Sequence, residues 1–330
     1  MPSFRQPAEW TPHEAVWIGW PSHAALWQED LDPARAEVAA FAQAVRADGR
    51  GERVILVASD AAAAAAARQV EGAEVIVEPF GDIWLRDTGA LVLSAGEERR
   101  AAAFGFNWWG GKYHLPGDET LAPRLAASAD LPLATHDWVL EGGAIDVDGG
   151  GLAVTTEQCL LNPNRNPDLT REEIEARLAI HLGLDRVLWL GQGLAEDHTD
   201  GHVDNLARFV GPNRLAIPEP SGNDDPNAAV YRDAAARARA LGVEVVPLPS
   251  PGLVERDGEV VPASYMNFYI GNAAVVVPVY GTPNDDAAVA AIGALFPGRA
   301  AIGLRADHIL TGGGSFHCIS QQLPRAGATS

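Results

Sequence analysis

Four short segments of the chain combine glycine with ionisable side chains, and each comes just before a strand-like run. The segments span residues 82–89, 140–143, 197–205 and 311–318. Their glycines allow one backbone to approach another closely. If the units that carry these segments are related by rotation about an axis, the segments meet at its end. The side chains that would then share a pocket are Asp87, Glu141, His202, Asp204 and Cys318.

These residue types suit attack on a guanidinium group, which is planar, permanently charged and rich in hydrogen-bond donors. Two carboxylates, Asp87 and Asp204, can hold it through bidentate charge-assisted hydrogen bonds. The thiolate of Cys318 is a strong enough nucleophile to attack the central carbon, and a cation beside the thiol favours the thiolate. His202 can protonate departing ammonia and then deprotonate water, while Glu141 orients the imidazole. Such a reaction requires no metal and no other cofactor.

The composition argues against several other classes of protein. The chain has 330 residues, of which 47% are hydrophobic and 21% charged, as in ordinary globular proteins. Its formal net charge of -20 disfavours nucleic acid and anionic membranes as partners and suits a small cationic guanidino substrate. No run approaches the roughly 20 apolar residues of a membrane helix. Residues 1–10 have no apolar core of a signal peptide, so we expect a cytoplasmic protein; a homo-oligomer is left open.

The two cysteines of the chain have different surroundings. Two cysteines exclude a zinc site with four cysteine ligands and argue against a disulfide framework. Cys159 lies in an apolar strand-like run, where an inert core residue is expected. Cys318 follows a glycine-rich turn and stands beside His317, which is more typical of a reactive thiol.

Strand-like and helix-like runs recur along the chain in a fixed order. Pairs of strand-like runs, 144–148 with 152–160, 203–210 with 214–217 and 265–270 with 273–279, surround turns near residues 150, 212 and 272. A helix and a further strand follow each pair, so the period is roughly 60 residues. A weaker copy has strands at 90–93 and 101–106, and a fifth copy would combine 315–320 with 15–20. The pattern predicts one α/β domain over residues 1–330, in which the two ends of the chain close a ring. A two-domain α/β protein with accidental spacing is the alternative.

The expected helices and the strands between them are bounded by ordinary signals. Predicted helices span residues 33–47, 61–69, 170–182, 226–240 and 284–295. Predicted strands outside the pairs span residues 53–59, 74–80, 186–191 and 244–248. Thr170, followed by Glu173, is the pattern of a capping box at a helix start.

Six motifs carry a resemblance to a known family. They lie at residues 7–21, 84–89, 106–111, 141–143, 199–205 and, in two parts, 312–314 with 317–322. With these motifs in this order, the sequence resembles the agmatine deiminase family over nearly its whole length. That family belongs to the wider guanidine-modifying group, which includes arginine deiminases, bacterial peptidylarginine deiminases and amidinotransferases.

The resemblance implies a fold, a reaction and a set of roles. The implied fold is a five-bladed pseudo-symmetric α/β propeller of ββαβ units. The implied reaction converts agmatine and water into N-carbamoylputrescine and ammonia, a step towards putrescine, through a covalent thiouronium intermediate on Cys318. His202 would be the general acid and base, Glu141 its partner, and Asp87 and Asp204 the guanidinium ligands.

The residues expected at the substrate channel include departures from the family pattern. Trp84 would line the channel, and we also expect Trp109 and His198 to contact substrate. Trp108-Trp109 replaces a small residue followed by Trp, and His198 stands where several members carry an acidic residue. Ser315-Phe316 stands where Asn-Ile is expected. These positions concern the tail of the substrate rather than the reaction.

Other functions remain open on the sequence alone. His198, Asp200, His202 and Asp204 alternate, so on a strand all four would face one side and could bind a metal, as in a metal-dependent amidohydrolase. A non-catalytic binding module on the same ring is a second possibility. Within the guanidine-modifying group, a peptidylarginine or other guanidine deiminase is a third. Asp82 and Arg86 are expected to form a structural salt bridge.

Overall fold

The computed structural model describes residues 4–256 and 258–328. The strands in these residues are β1 (His13–Gly19), β2 (Arg53–Ala58), β3 (Glu74–Val77), β4 (Leu91–Ala95), β5 (Glu98–Gly105), β6 (Leu133–Val139), β7 (Ile145–Val147), β8 (Leu152–Thr156), β9 (Arg186–Leu190), β10 (Arg208–Gly211), β11 (Arg214–Glu219), β12 (Glu244–Pro249), β13 (Glu255–Arg256), β14 (Glu259–Val260), β15 (Tyr269–Ile270), β16 (Ala274–Val279), β17 (Ala300–Arg305) and β18 (Ser320–Pro324). The helices are α1 (Ala24–Trp27), α2 (Leu31–Arg46), α3 (Ala61–Ala67), α4 (Leu85–Thr88), α5 (Trp108–Gly111), α6 (Leu121–Ser128), α7 (Glu157–Leu160), α8 (Arg171–Leu182), α9 (Ala228–Ala240), α10 (Asp285–Leu295) and α11 (Asp307–Leu310).

The fold is α/β and repeats one arrangement in several small sheets. Four sheets have the strand orders β4-β5-β6, β7-β8-β9, β10-β11-β12 and β15-β16-β17. In each, the first two strands are antiparallel and the third is parallel to the second. A helix lies between the second and third strands, because a parallel connection needs a crossover. The ββαβ order predicted from the spacing is therefore present in these sheets.

The remaining large sheet joins the two ends of the chain. Its order is β18-β1-β2-β3, with β18 antiparallel to β1 and β2 parallel to β1. The predicted pairing of a C-terminal strand with residues 15–20 is therefore present. Its C-terminal partner begins at Ser320 rather than at the predicted residue 315.

The helices form where local signals and apolar spacing agree. On α2 the side chains of Ala34, Val38, Phe41 and Val45 recur at helical spacing and are buried against the sheets. At α8 the Thr170 side chain accepts from the Glu173 N–H and the Glu173 carboxylate accepts from the Thr170 N–H, so the predicted capping box is present. Within the described residues, no helix is long and apolar enough to span a membrane.

Short turns replace the first residues of three predicted strands. The strands predicted at 203–210, 265–270 and 315–320 start later, at Arg208, Tyr269 and Ser320. The residues before the first two form 3-10 turns, Val203–Asn205 and Tyr265–Asn267. In a turn the backbone bonds locally, as from Leu206 N to Val203 O at 2.9 Å, and cannot join a ladder. A further 3-10 turn, Gly142–Ala144, precedes β7.

These turns lie next to one another and bring the polar segments of the sequence together. The turn Gly142–Ala144 contacts both α4 and the turn Val203–Asn205, which in turn contacts Tyr265–Asn267. The backbone N–H of Arg86 in α4 donates to the carbonyl of Cys318 at 3.0 Å. The segments that carry the predicted chemistry therefore meet at one place.

Candidate active site

A cavity of about 270 Å³ opens where the polar segments meet. Its lining residues are Leu26, Asp82, Trp84, Asp87, Trp109, Tyr113, Leu115, His198, Thr199, Thr311, Gly312, Gly313, Gly314 and Cys318. Glycine is needed where the 311–314 segment crosses the Trp84 ring. A Cβ at Gly312 would lie 2.3 Å from Cζ2 of Trp84, and one at Gly314 would lie 2.7 Å from Cζ3.

Cys318 lies at the wall of this cavity, just before β18, and is 6% exposed. The Asn267 side chain holds it at two points: Nδ2 donates to Sγ at 3.0 Å, and Oδ1 accepts from the Cys318 N–H at 3.2 Å. Sγ also lies 3.4 Å from Oδ2 of Asp204. Burial, together with the negative charges of Asp204 and Asp87, raises the pKa of the thiol well above its usual value. In this structure the thiol therefore favours its neutral form.

Asp87 and Asp204 are buried carboxylates with different hydrogen-bond partners. Asp87 accepts from the Gly143 N–H and from the Trp109 indole N–H, both at 2.9 Å. Burial raises the pKa of Asp87, and the charge of Asp204 adds to that effect. Oδ2 of Asp204 accepts from His317 Nδ1 at 2.7 Å, whereas its Oδ1 is buried with no hydrogen-bond partner in the described residues. Burial alone would raise the pKa of Asp204, but the hydrogen bond and charge of His317 hold it below its usual value.

His202 is buried beside these carboxylates. Its Nδ1 lies 3.7 Å from Oδ1 of Asp87, and neither ring nitrogen has a hydrogen-bond partner within the described part of the chain. Burial alone would lower the pKa of His202, but the negative charge of Asp87, with contributions from Cys159 and Glu141, raises it well above its usual value. The imidazole therefore favours its protonated form and has N–H groups to give.

Gly143 marks the point on which these groups converge. A Cβ at this position would lie 2.7 Å from Nδ1 of His202 and 3.0 Å from both Asp204 Oδ2 and Asp87 Oδ1. The glycine has no positive φ, so its backbone is accessible to any residue. What requires glycine is the absence of a side chain between the three polar groups.

Glu141 is placed by an arginine that the sequence argument did not single out. Nε of Arg165 donates to Oε1 of Glu141 at 2.6 Å, and Nη1 of Arg165 donates to Oδ2 of Asp200 at 2.6 Å. Glu141 itself has an oxygen within 4.8 Å of a ring nitrogen of His202. Glu141 therefore lies beside the imidazole, but its hydrogen bond in this structure is to Arg165.

The interpretation of the 198–204 segment as a strand with one polar face is wrong. Residues 198–202 form no strand, and Asp200 has a left-handed φ of 64°, which breaks the alternation. His198 is exposed at the cavity, whereas Asp200 is bonded to Lys112, Asn164 and Arg165. The structure therefore does not place the four ligands of the metal-site alternative on one face. A different trio, Glu141, Cys159 and His202, has potential ligand atoms within 4.8 Å of one another.

Two further expectations concern residues near the site. Asp82 and Arg86 form no salt bridge in the described structure; Asp82 accepts from the indole N–H groups of Trp27 and Trp84, at 3.0 and 2.7 Å. Arg86 instead pairs with the buried Glu9. Cys159 is fully buried, as expected of a core residue, but it is packed next to the His202 imidazole rather than in purely apolar surroundings.

Asn267, Arg165 and Glu9 fix the positions of the candidate catalytic side chains, and the sequence alone did not predict them. Asn267 lies in the turn before β15, the position in its unit that corresponds to the other polar segments. It was overlooked because that segment has no ionisable side chain, although the repeat pointed to it. Glu9 lies in the first of the six motifs and Arg165 in none of them, and nothing local in sequence links either residue to its partners far along the chain.

The chain belongs to the Porphyromonas-type peptidyl-arginine deiminase family, whose model matches residues 5–324. It is 37% identical to the agmatine deiminase of Stutzerimonas stutzeri, over 97% of this chain and 95% of that protein. The solved agmatine deiminase of Enterococcus faecalis superimposes with a TM-score of 0.92 at 31% identity, covering 98% of this chain and 96% of that one. A cysteine-to-serine variant of the C. jejuni agmatine deiminase, with substrate bound, has a TM-score of 0.91 at 27% identity, covering 98% and 97%. The resemblance inferred from the motifs is confirmed.

The convergence at Gly143 predicts a sharp effect of one methyl group. Gly143→Ala places carbon between His202, Asp87 and Asp204, so turnover should fall at least about 100-fold, the scale of losing one well-placed general acid or base. The matched control is Gly211→Ala, whose new Cβ would have no neighbour closer than 3.4 Å. Steady-state assays and thermal melts of both variants provide the test. Full activity of Gly143→Ala would contradict the described convergence.

Proposed function

We propose that the chain hydrolyses the guanidinium group of agmatine, releasing ammonia and forming N-carbamoylputrescine. The observation that carries the proposal is the convergence of the Cys318 thiol, the Asp87 and Asp204 carboxylates and the His202 imidazole beside one cavity. The two agmatine deiminases with solved structures and the relative from S. stutzeri support the choice of substrate. The proposed reaction is hydrolysis of a carbon–nitrogen bond.

In the proposed complex, the two carboxylates hold the guanidinium against the thiol. Asp204 is buried behind the cavity wall and has one oxygen, Oδ1, that no group among the described residues bonds. Asp87 lines the cavity, with its carboxylate fixed by Gly143 and Trp109. Charge-assisted hydrogen bonds to a planar cation fix its orientation as well as its position. The guanidinium carbon is then presented to Sγ of Cys318.

Substrate charge activates the nucleophile in this proposal. Before substrate binds, burial and the two carboxylates raise the pKa of the thiol and keep it neutral. A bound guanidinium offsets the charge of Asp87 and Asp204, and a nearby cation favours the thiolate. The thiol therefore becomes nucleophilic when the substrate is present, and the site needs no separate cation for this purpose.

His202 would transfer protons in both halves of the reaction. The thiolate forms a bond to the guanidinium carbon, and the carbon–nitrogen bond to one terminal amino group breaks as His202 protonates the departing ammonia. Water then adds to the covalent thiouronium and gives a proton to His202. The carbon–sulfur bond breaks, Cys318 leaves as thiolate, and the carbon keeps the oxygen as a ureido group. The remaining hydroxyl proton passes to solvent, where the ammonia released earlier takes up a proton as ammonium.

Glu141 would act on His202 through charge and position. Its carboxylate lies within 4.8 Å of the imidazole, and it is one of the charges that raise the pKa of His202. Because Arg165 binds one oxygen of Glu141, the other is free to meet the imidazole as protons move. Arg165 thus fixes Glu141, which in turn would hold the His202 imidazole in position.

The channel favours a substrate whose tail is a cation. Among the described residues that line the cavity there is no lysine or arginine to bind a carboxylate. Trp84, Trp109 and Tyr113 offer aromatic faces, which attract ammonium groups. Burial raises the pKa of Asp82 to about 6, so this lining carboxylate is largely ionised at neutral pH. We therefore favour agmatine over arginine, and assign tail contacts to Trp84, Trp109 and His198.

We also propose the finer architecture that the family resemblance implies. The five larger sheets would be blades of one propeller, within a single domain over residues 1–330. The proposal is supported by contacts between first strands of different sheets, β18 with β4 and β7 with β10, and by the contacts between the turns that precede them.

A comparison of substrates tests the proposed function directly. Agmatine should be turned over, with ammonia and a ureido product released in equal amounts, while free arginine and a blocked arginyl peptide should react much more slowly. A chelator should change none of these rates, although the Glu141, Cys159 and His202 trio offers donor types that zinc binds. Preference for the arginyl peptide would show that the substrate is a peptidyl arginine rather than agmatine. Loss of activity with the chelator would overturn the metal-free mechanism.

The roles of the two cysteines predict opposite effects of the same substitution. Cys318→Ala should abolish turnover and leave the fold intact, because the nucleophile is lost from the cavity wall. Cys159→Ala should retain turnover and lower the melting temperature, because it removes a fully buried side chain. Ammonia release and thermal melts of both variants decide the point. Turnover by Cys318→Ala at the unsubstituted rate would exclude the covalent route.

Alkylation of Cys318 should depend on pH and on the charge of the reagent. Since the pKa of the thiol is raised well above its usual value, neutral iodoacetamide should react slowly at neutral pH and faster as the pH rises. A cationic chloroacetamidine brings its own positive charge and should react well at neutral pH. Rates are measured in Cys159→Ala, where Cys318 is the sole thiol. Rapid, pH-independent reaction with iodoacetamide would show that the empty site already holds a thiolate.

A further inference from the structure

Six ionisable side chains form a connected, buried network next to the cavity. All are at most 7% exposed, and they are Glu9, Arg86, Asp146, Asp204, Arg208 and His317. Ion pairs join them: Glu9 with Arg86, Arg208 and His317, Arg208 with Asp146, and His317 with Asp204. The network holds three carboxylates, two guanidinium groups and one imidazole, and the carboxylates that face the imidazole are those of Glu9 and Asp204.

The two ring nitrogens of His317 both face carboxylate oxygens. Nδ1 lies 2.7 Å from Oδ2 of Asp204, and Nε2 lies 2.9 Å from Oε2 of Glu9. An ionised carboxylate only accepts hydrogen bonds, and a neutral imidazole has a single N–H to give. Both contacts are satisfied at once by an imidazolium, which donates from each nitrogen.

Both carboxylates are held in their ionised forms. Burial alone would raise the pKa of Glu9, but Arg208, His317 and Arg86 bring it well below its usual value. The pKa of Asp204 is likewise held below its usual value despite burial.

Hydrogen bonds to both of its carboxylate oxygens hold the Glu9 side chain in position. Its Oε2 accepts from Nη2 of Arg208 at 2.9 Å, and its Oε1 accepts from the backbone N–H of Ile270 at 2.8 Å. The backbone of His317 is also held, because its N–H donates to Oδ1 of Asn267 at 3.1 Å. The imidazole thus has a rigid support at one end and Asp204 at the other.

We propose that His317 is a positively charged positioning residue, an imidazolium anchored on Glu9 that fixes Asp204 for guanidinium binding. Because His317 bonds Oδ2, the oxygen of Asp204 that would accept from the substrate is Oδ1, which is buried and has no hydrogen-bond partner among the described residues. It also places a positive charge beside the carboxylate oxygen that lies 3.4 Å from Sγ of Cys318. The assignment of Asp204 to the guanidinium rests on the proposed function, whereas the charge of His317 does not.

The charge of His317 can be measured on the unsubstituted protein. Nitrogen NMR of histidine-labelled protein distinguishes a doubly protonated ring from a neutral one, and His317→Gln identifies the His317 signals among the nine histidines. We expect both ring nitrogens to be protonated at neutral pH. Glu9→Gln, which removes the anchoring charge, should weaken or abolish that signature. A neutral His317 ring in the unsubstituted protein at neutral pH would overturn the proposal, even if the enzyme is fully active on agmatine.

Kinetics separate a positioning role from a merely structural one. His317→Gln should raise KM for agmatine about 10- to 100-fold, the range expected for loss of a hydrogen bond between charged groups. His13→Gln is the matched control, because His13 is also a fully buried imidazole paired with a carboxylate, Glu52, at 3.1 Å, whereas the carboxylate that His317 contacts at 2.7 Å is Asp204. The control should lower the melting temperature and leave KM unchanged.

Each outcome of these measurements has a distinct meaning. An unchanged KM in His317→Gln, or an equal rise in His13→Gln, would overturn the positioning role. If His317→Gln does not fold, the NMR signature and the KM of Glu9→Gln, which should also rise, decide instead. Failure of the unsubstituted protein to act on agmatine would reject the proposed function but leave the charge of His317 to be read from the NMR signals.

Discussion

Burial of charge without water is the constraint on which the centre of this molecule depends. A carboxylate or guanidinium removed from water is tolerated only when an opposite charge and hydrogen bonds replace its hydration. In this protein, residues in or just before the first strands of every large sheet supply these charges and hydrogen bonds. Glu9 precedes β1, Arg86 lies in α4, Asp146 in β7 and Arg208 in β10. The β15 unit contributes backbone, since Arg208 donates to the carbonyls of Met266 and Phe268.

A network of this kind makes the position of each sheet depend on the others. Removal of one member leaves a buried charge unpaired, which is far more costly than loss of an exposed ion pair. The first strands and the turns before them are therefore held in register around the cavity. The glycines at Gly142 and Gly143 complete the arrangement, because side chains there would meet the Arg86 carbonyl and the His202 ring.

The electrostatics of the site involve a compromise between binding and reactivity. Carboxylates that suit a cationic substrate also oppose ionisation of the neighbouring thiol, and burial of Cys318 adds to that effect. Of these carboxylates, Asp87 also favours a protonated His202, which suits the general-acid role proposed for that residue. Before substrate binds, the Cys318 thiol is neutral and therefore unreactive. A positively charged substrate would offset the carboxylates and so favour the thiolate.

The sequence predicts the repeated units better than the details of the site. Apolar spacing and caps are local, so α2, α8 and the strand order could be derived from it, as could the gathering of Asp87, Asp204, His202 and Cys318. The turns before the strands could not, because alternation of polar residues over 198–204 is also the pattern of a strand. Arg165 and Glu9 act across long stretches of chain, and a sequence pattern carries no sign of such partners.

The pairing of β1 with β18 has a consequence for how the protein is made. The two strands lie at opposite ends of the described chain, and Cys318 comes directly before the second. A chain emerging from the ribosome presents its N-terminal part first. Most residues of the pocket can therefore fold while the sheet next to them still lacks β18. The proposed nucleophile comes directly before the strand that completes this sheet, so Cys318 is synthesised after Asp87, His202 and Asp204 and after the other strands of that sheet.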